Sequence, residues 1–174
     1  MSSLFQMIND DGEIAACGKD AQNRFSALYC AESVLGAVAE AEGIAESVIP
    51  RMATGFCSGM ARTGGLCGAV AGAVMAVSLV HGRDCGEDPV EPAYARVAAL
   101  CRALEAKWGT CQCLALTGCD FTTQAGQDRF REQGLKEAVC LPLADDCARM
   151  ALWLVRADME QVGRVSGAGE EERS

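Results

Sequence analysis

Apolar side chains recur at the spacing of an α-helix along most of the chain, and the strict alternation that would mark strands is weak throughout. Tyr94, Val97, Cys101, Leu104 and Trp108 make one such stripe, with Gly109 placed to stop the helix. Phe25, Leu28, Leu35 and Val38 make another, read as a single helix from about Ala21 to Glu42 closed by Gly43. The remaining expected elements are a helix from about Ala45 to Phe56 near Pro50, a Gly-rich connection from Cys57 to Gly65, and an apolar helix from Leu66 to about His81. After a short segment from Thr110 to Gly118, the polar stretch from Asp120 to Gly134 reads as loop. A last helix starts near Cys140, with Pro142 suited to its first turn and Leu143, Met150 and Leu154 facing inward. The pattern predicts an all-α, compact, single-domain bundle of about five to six helices, with an extension over residues 1–20 and a flexible acidic tail over 161–174, frayed from Gly163 onward.

At 174 residues such a chain can bury a core without disulfide staples. Its formal net charge of -9 argues against nucleic acid, whose binding depends on Lys and Arg neutralising phosphates. The run from Leu66 to Val80 is too short and too rich in Gly and Ala to span a bilayer, so membrane insertion is not expected. The first residues, Met1 to Asp11, lack the basic and apolar regions of a secretory signal, and a cytoplasmic location follows as an expectation.

Cysteine is the outlier, with 11 in the chain. An odd count without a secretory signal points to metal, cluster or redox-active thiols and away from a disulfide framework. Cys101 and Cys147 lie on apolar helical stripes and read as core packing. Cys67 and Cys140 fall at expected helix starts, where backbone N–H groups and the helix dipole favour a thiolate. Cys113 opens a short helical segment with the same advantage and is preferred to Cys111. Gly68 and Gly72, four apart, would let another backbone or an inorganic group come close, although packing between helices alone accounts for that spacing equally well.

The run Cys67-Gly68-Ala69-Val70-Ala71-Gly72 resembles the signature of the C_GCAxxG_C_C family of redox-active proteins. The resemblance extends to Cys30-Ala31-Glu32-Ser33-Val34-Leu35, to the Gly-rich stretch from Ala53 to Arg62, and through Cys113 to Asp120 and Cys140. It implies that the family's four cysteines fall on Cys30, Cys67, Cys113 and Cys140. The same module resembles the non-haem part of split-Soret-type cytochromes, which implies an iron–sulfur cluster, of two or four irons, held by those thiolates. Cys57 stands where the family generally has Gly, and Cys57, Cys111 and Cys119, with Cys147, remain open as alternative ligands, resolving thiols or a second centre.

No Cys-x-x-Cys-His occurs, so covalent haem is not expected. The chain's only histidine, His81, reads as a helix C-terminal cap and leaves little basis for a His-based triad or a His-rich zinc site. The glycines near Gly64 lack the Lys-Ser/Thr of a phosphate loop, and Asp145-Asp146 reads as a solvated first-turn pair. No hydrolase or transferase signature appears; an oxidoreductase component is the one enzymatic role left open. Three functions remain in play: a cluster-binding electron carrier or redox sensor, a thiol–disulfide oxidoreductase in which Cys67 attacks and Cys140 or Cys57 resolves, and thiolate binding of zinc or a metalloid. The redox partner is not readable from the sequence, and a homodimer stays open.

Overall fold

The computed structural model describes Ile8, residues 11–45 and residues 47–167. Helices account for its regular structure: α1 (Gly12–Arg24), α2 (Cys30–Ala41), the short α3 (Ile49–Ala53), α4 (Gly68–His81), α5 (Glu91–Trp108), the short α6 (Cys113–Thr117), α7 (Gln124–Glu132), α8 (Leu141–Arg156) and α9 (Met159–Gly167). Five of these have twelve residues or more and form the bundle the sequence predicts. No strand occurs among the described residues, apart from one isolated bridge between Leu66 and Gln112. No helix among them is long and apolar enough to cross a membrane.

The core is a packed set of α1, α2, α4 and α8, with α5 against α4 and α8 and α9 against α5. Helix α4 is apolar on nearly every face because it is enclosed by α2 on one side and by α8 and α5 on others. Its approach to α2 is as close as the Gly spacing suggests. A methyl group on Gly72 would lie 2.6 Å from the Ala31 carbonyl oxygen, so only glycine permits this crossing. Leu35, Val38, Val70, Val77, Leu100, Leu104, Met150 and Leu154 are fully buried in the resulting interior.

Several local expectations need correction. The segment from Ala21 to Glu42 is two helices, because Tyr29 restarts the chain: its N–H donates to Glu32 Oε2 at 2.8 Å in a capping box. Helix α1 starts at Gly12, inside the stretch set aside as an extension, with Asp11 accepting from the Glu13 and Ile14 N–H groups and Ile14 and Cys17 joining the core. The stretch read as loop after Asp120 contains α7, whose start is capped by Thr123 Oγ1 accepting from the Gly126 N–H at 3.0 Å. Gly163 lies within α9, and residues 168–174 of the expected tail lie outside the described residues.

His81 Nε2 meets the Val155 carbonyl oxygen of α8 at 2.8 Å, so it ties two helices together instead of capping its own. The Asp145–Asp146 pair is not the solvated first-turn cluster expected: Asp146 is buried, accepting from Trp108 Nε1 at 2.9 Å and Lys107 Nζ at 2.8 Å, and Asp145, part-buried beyond the first turn of α8, pairs with Arg149.

The Gly-rich connection contains a feature with no counterpart in the sequence reading. Ser58, Gly59, Met60, Ala61 and Arg62 all have positive φ, between 53° and 74°, making a left-handed helical turn. Four of the five carry a Cβ, and left-handed geometry costs such residues roughly 1–2 kcal/mol each. Thr63 Oγ1 stabilises the turn by donating within reach of the Gly59 and Met60 carbonyls, and the Gly65 N–H donates to Gly59 O at 3.2 Å.

Candidate functional site

Four helix beginnings meet around one cavity of about 230 Å³, and each brings a cysteine to its wall. Cys30 is the first residue of α2, Cys67 is the N-cap of α4, Cys113 is the first residue of α6, and Cys140 directly precedes α8. The residues that the resemblance marks are therefore gathered in one place from across the chain.

The local structure explains how. The segment leading into α4 zips against the segment leading into α6: the Cys67 N–H donates to Cys111 O at 2.8 Å, the Cys113 N–H to Gly65 O at 2.8 Å, and the Leu114 N–H to Gly64 O at 3.2 Å. This fixes Cys67 beside Cys113. The left-handed turn closes over Cys113, and a methyl on Gly59 would stand 2.5 Å from its Cβ and 3.1 Å from its Sγ. Gly68 makes the corresponding room for Cys30, whose Sγ occupies the space where a Gly68 methyl would be. Cys140 ends a π-helical turn, Lys136–Cys140, anchored where Lys136 Nζ donates to Phe25 O at 3.1 Å and lies 5.3 Å from the Phe25 ring centre.

Burial sets the protonation of these thiols. Loss of solvent pushes Cys67 up to about 11, although the Ala69 and Val70 N–H groups at the start of α4 pull the other way. Cys140 is pushed up to about 12 by burial and by the neighbouring Cys67 and Cys113 sulfurs, and Cys113 rises through burial and Cys119. The helix dipole therefore does not make Cys67 a ready thiolate; desolvation outweighs it.

The further thiols separate clearly. Cys57 is buried, with its Sγ 3.7 Å from Ala53 O, and a hydrogen bond with Cys30 is the main cause of its strongly raised value. Cys119 lies buried behind Cys113, with its Sγ 3.3 Å from Thr117 O. Cys111 is buried, pushed up to about 11 by burial and the nearby Cys101. None of these three lines the cavity, and neither do Cys101 and Cys147. Cys147 is sealed in the core on α8, whereas Cys101 is half-buried on α5. Among the described residues no three His, Cys, Asp or Glu side chains are gathered as ligands of one ion; Cys30, Cys67, Cys113 and Cys140 share the wall of one cavity.

Sequence reasoning missed the rest of the wall. Arg62, Arg131 and Lys136 line the cavity with Phe25, Phe121 and Phe130, the last two packed edge to face at 5.0 Å. No carboxylate among the described residues lines it, although acidic residues outnumber basic ones, 24 to 15, in the chain. No local sequence signal marked these residues, because the walls come from elements far apart in sequence.

The family model described as "Putative redox-active protein (C_GCAxxG_C_C)" matches residues 28–154, and no curated protein or solved structure matches the chain. That span takes in Cys30, Cys67, Cys113 and Cys140 and all of the cavity wall except Phe25, and the chain belongs to the C_GCAxxG_C_C family.

Proposed function

We propose that this is a cysteine-based redox protein in which Cys30, Cys67, Cys113 and Cys140 hold an iron–sulfur cluster for electron transfer or redox sensing. The observation that carries the reading is the convergence of four cysteines, each at the start of a different helix, on one cavity. The donor set fits: four thiols suffice for either a two-iron or a four-iron cluster, and the missing side chains of Gly59 and Gly68 let Cys113 and Cys30 take their places at the cavity wall. A single zinc ion would need all its sulfurs about 2.3 Å from one centre, whereas cluster thiolates are spread over several irons and ring a larger volume. Four thiols that share a cavity wall without being gathered on one ion suit the second requirement better than the first.

Electrostatics supports the same reading. Helix N-termini, Arg62 and Lys136 face the cavity with no carboxylate in its wall among the described residues, which favours the negative charge of thiolates. A bound cluster would supply a one-electron couple whose potential depends on such surroundings. Thiol–disulfide exchange is less well served, because an attacking thiol works best with a pKa near ambient and burial holds Cys67 near 11. Of the two candidate resolving thiols, Cys57 is hydrogen-bonded to Cys30, and Cys140, which lies near Cys67, is itself pushed up to about 12 by burial.

The test is anaerobic purification followed by iron and acid-labile sulfide assays and a visible spectrum. The expected result is a coloured protein that loses most of its iron in Cys67→Ser and keeps it in Cys101→Ser. Protein that stays colourless after reconstitution with ferrous iron and sulfide, or equal iron loss in both variants, would refute the cluster.

A further inference from the structure

We propose that the cavity also binds a small organic anion with an apolar body, its carboxylate or sulfonate paired with Arg62 and Lys136. The inference goes beyond the cluster reading and does not depend on it. The thiols Cys67 and Cys113 are buried at the base, while Arg62 is exposed and Lys136, Phe121 and Phe130 are half-buried toward solvent. An electron-transfer centre needs no such vestibule of aromatic rings opening from its ligands. Ligand pockets are typically apolar walls with a few convergent polar groups, and this vestibule has that composition.

The charges identify the ligand's sign. Arg131 is paired with Asp128, so its charge is largely met within the protein. Arg62 has no hydrogen bond or ion pair among the described residues, and it is held over the cavity by the left-handed turn. Lys136 gives one N–H to Phe25 O and keeps two for another acceptor. With no carboxylate in the wall among the described residues, an unpaired guanidinium and an ammonium with spare donors beside aromatic faces suit an anion joined to an aromatic or aliphatic body. A cation of the same shape would meet like charges and no acceptor of opposite sign.

The experiment titrates benzoate, benzamide and benzylamine into the full chain, metal-free and reduced under anaerobic conditions, and follows alkylation of individual cysteines by N-ethylmaleimide. Benzoate is expected to slow modification of Cys30 and Cys140, which are half-buried at the cavity, and to leave the exposed Cys85 unaffected. Benzamide should need about tenfold higher concentration, the effect of losing one charge-assisted hydrogen bond. Arg62→Gln, an exposed position, should weaken benzoate by about the same factor and leave benzamide unchanged. Equal protection by all three compounds, no protection by benzoate, or full benzoate protection in Arg62→Gln would overturn the proposal. Because the titration is made on metal-free protein, its outcome is separate from the iron and sulfide assays that decide the cluster.

Discussion

Replacing Gly68 and Gly72 separately by Ala distinguishes the packing role of α4 from its role at the thiols. Both residues face α2. A Gly72 methyl would meet Ala31 backbone at 2.6 Å for O and 3.1 Å for Cα; a Gly68 methyl would meet Phe56 O at 2.9 Å and Cys57 Cα at 3.1 Å and would overlap Cys30 Sγ. Overpacking of this kind costs typically 1–3 kcal/mol, and the upper end applies because backbone atoms cannot rotate aside. Alanine recovers about 1 kcal/mol of helix propensity. Each variant is therefore expected to lose about 2 kcal/mol in urea denaturation of the metal-free protein. Iron per chain after anaerobic reconstitution should separate the two: Gly68→Ala displaces the Cys30 sulfur and should lose most of its iron, whereas Gly72→Ala should retain most of it. Wild-type stability in both variants would refute the close approach of α2 and α4. Equal iron loss in the two would show that helix spacing, and not the position of Cys30, controls the site.

Asp146→Ala removes the acceptor for Trp108 Nε1 and Lys107 Nζ from a buried site and should cost about 2–3 kcal/mol, measured by denaturant unfolding, with the mutant folded and the cavity intact. Ala61→Gly, at an exposed residue with φ of 53°, should raise stability by about 1 kcal/mol, because glycine removes the left-handed penalty at the cost of some unfolded-state entropy; a lower thermal midpoint would count against the left-handed turn. The metal-free protein should lose stability as pH rises. The folded Cys67 thiol titrates near 11 against an ordinary 9.0, so its contribution is complete below pH 9 and is lost through pH 11, about 3 kcal/mol in all. Thermal midpoints that stay flat from pH 8 to 10.5 would contradict that burial.

The long helices were legible because each carries its own period and its own stop. Trp108 is followed by Gly109 at φ 79°, and Pro142 sits in the first turn of α8, as the pattern predicts. The cysteines at helix starts were legible for the same reason, since Cys67 and Cys140 adjoin apolar runs whose beginnings could be read. What escaped depends on partners remote in sequence. The chain bends between α1 and α2 although the apolar period runs through it, and there Phe25 O accepts from Lys136, 111 residues away. Asp146 was read beside Asp145, yet it lies three residues after Leu143 and four before Met150, on the buried face of α8. That helical phase was the available signal. The left-handed turn had none, because only one of its five residues is glycine.

That turn shows what the site asks of the fold. Four non-glycine residues in left-handed geometry cost roughly 4–8 kcal/mol, comparable with the whole net stability of a domain this size. Such strain persists only where surrounding structure over-determines it. Here the strands of chain on either side are pinned, by Cys57 buried under α2 and by the zipper of Gly64, Gly65 and Cys67 with residues 111–114. Relaxing the turn to right-handed geometry would swing Gly59 away from Cys113 and carry Arg62 off the cavity wall. The same residues thus cover the Cys113 sulfur at Gly59 and bring the Arg62 cation to the wall of the same cavity. Strain concentrated at this one turn, in a molecule otherwise built of regular helices, falls where thiols and charge must be brought together, which is the pattern expected when geometry is selected for chemistry and not for stability.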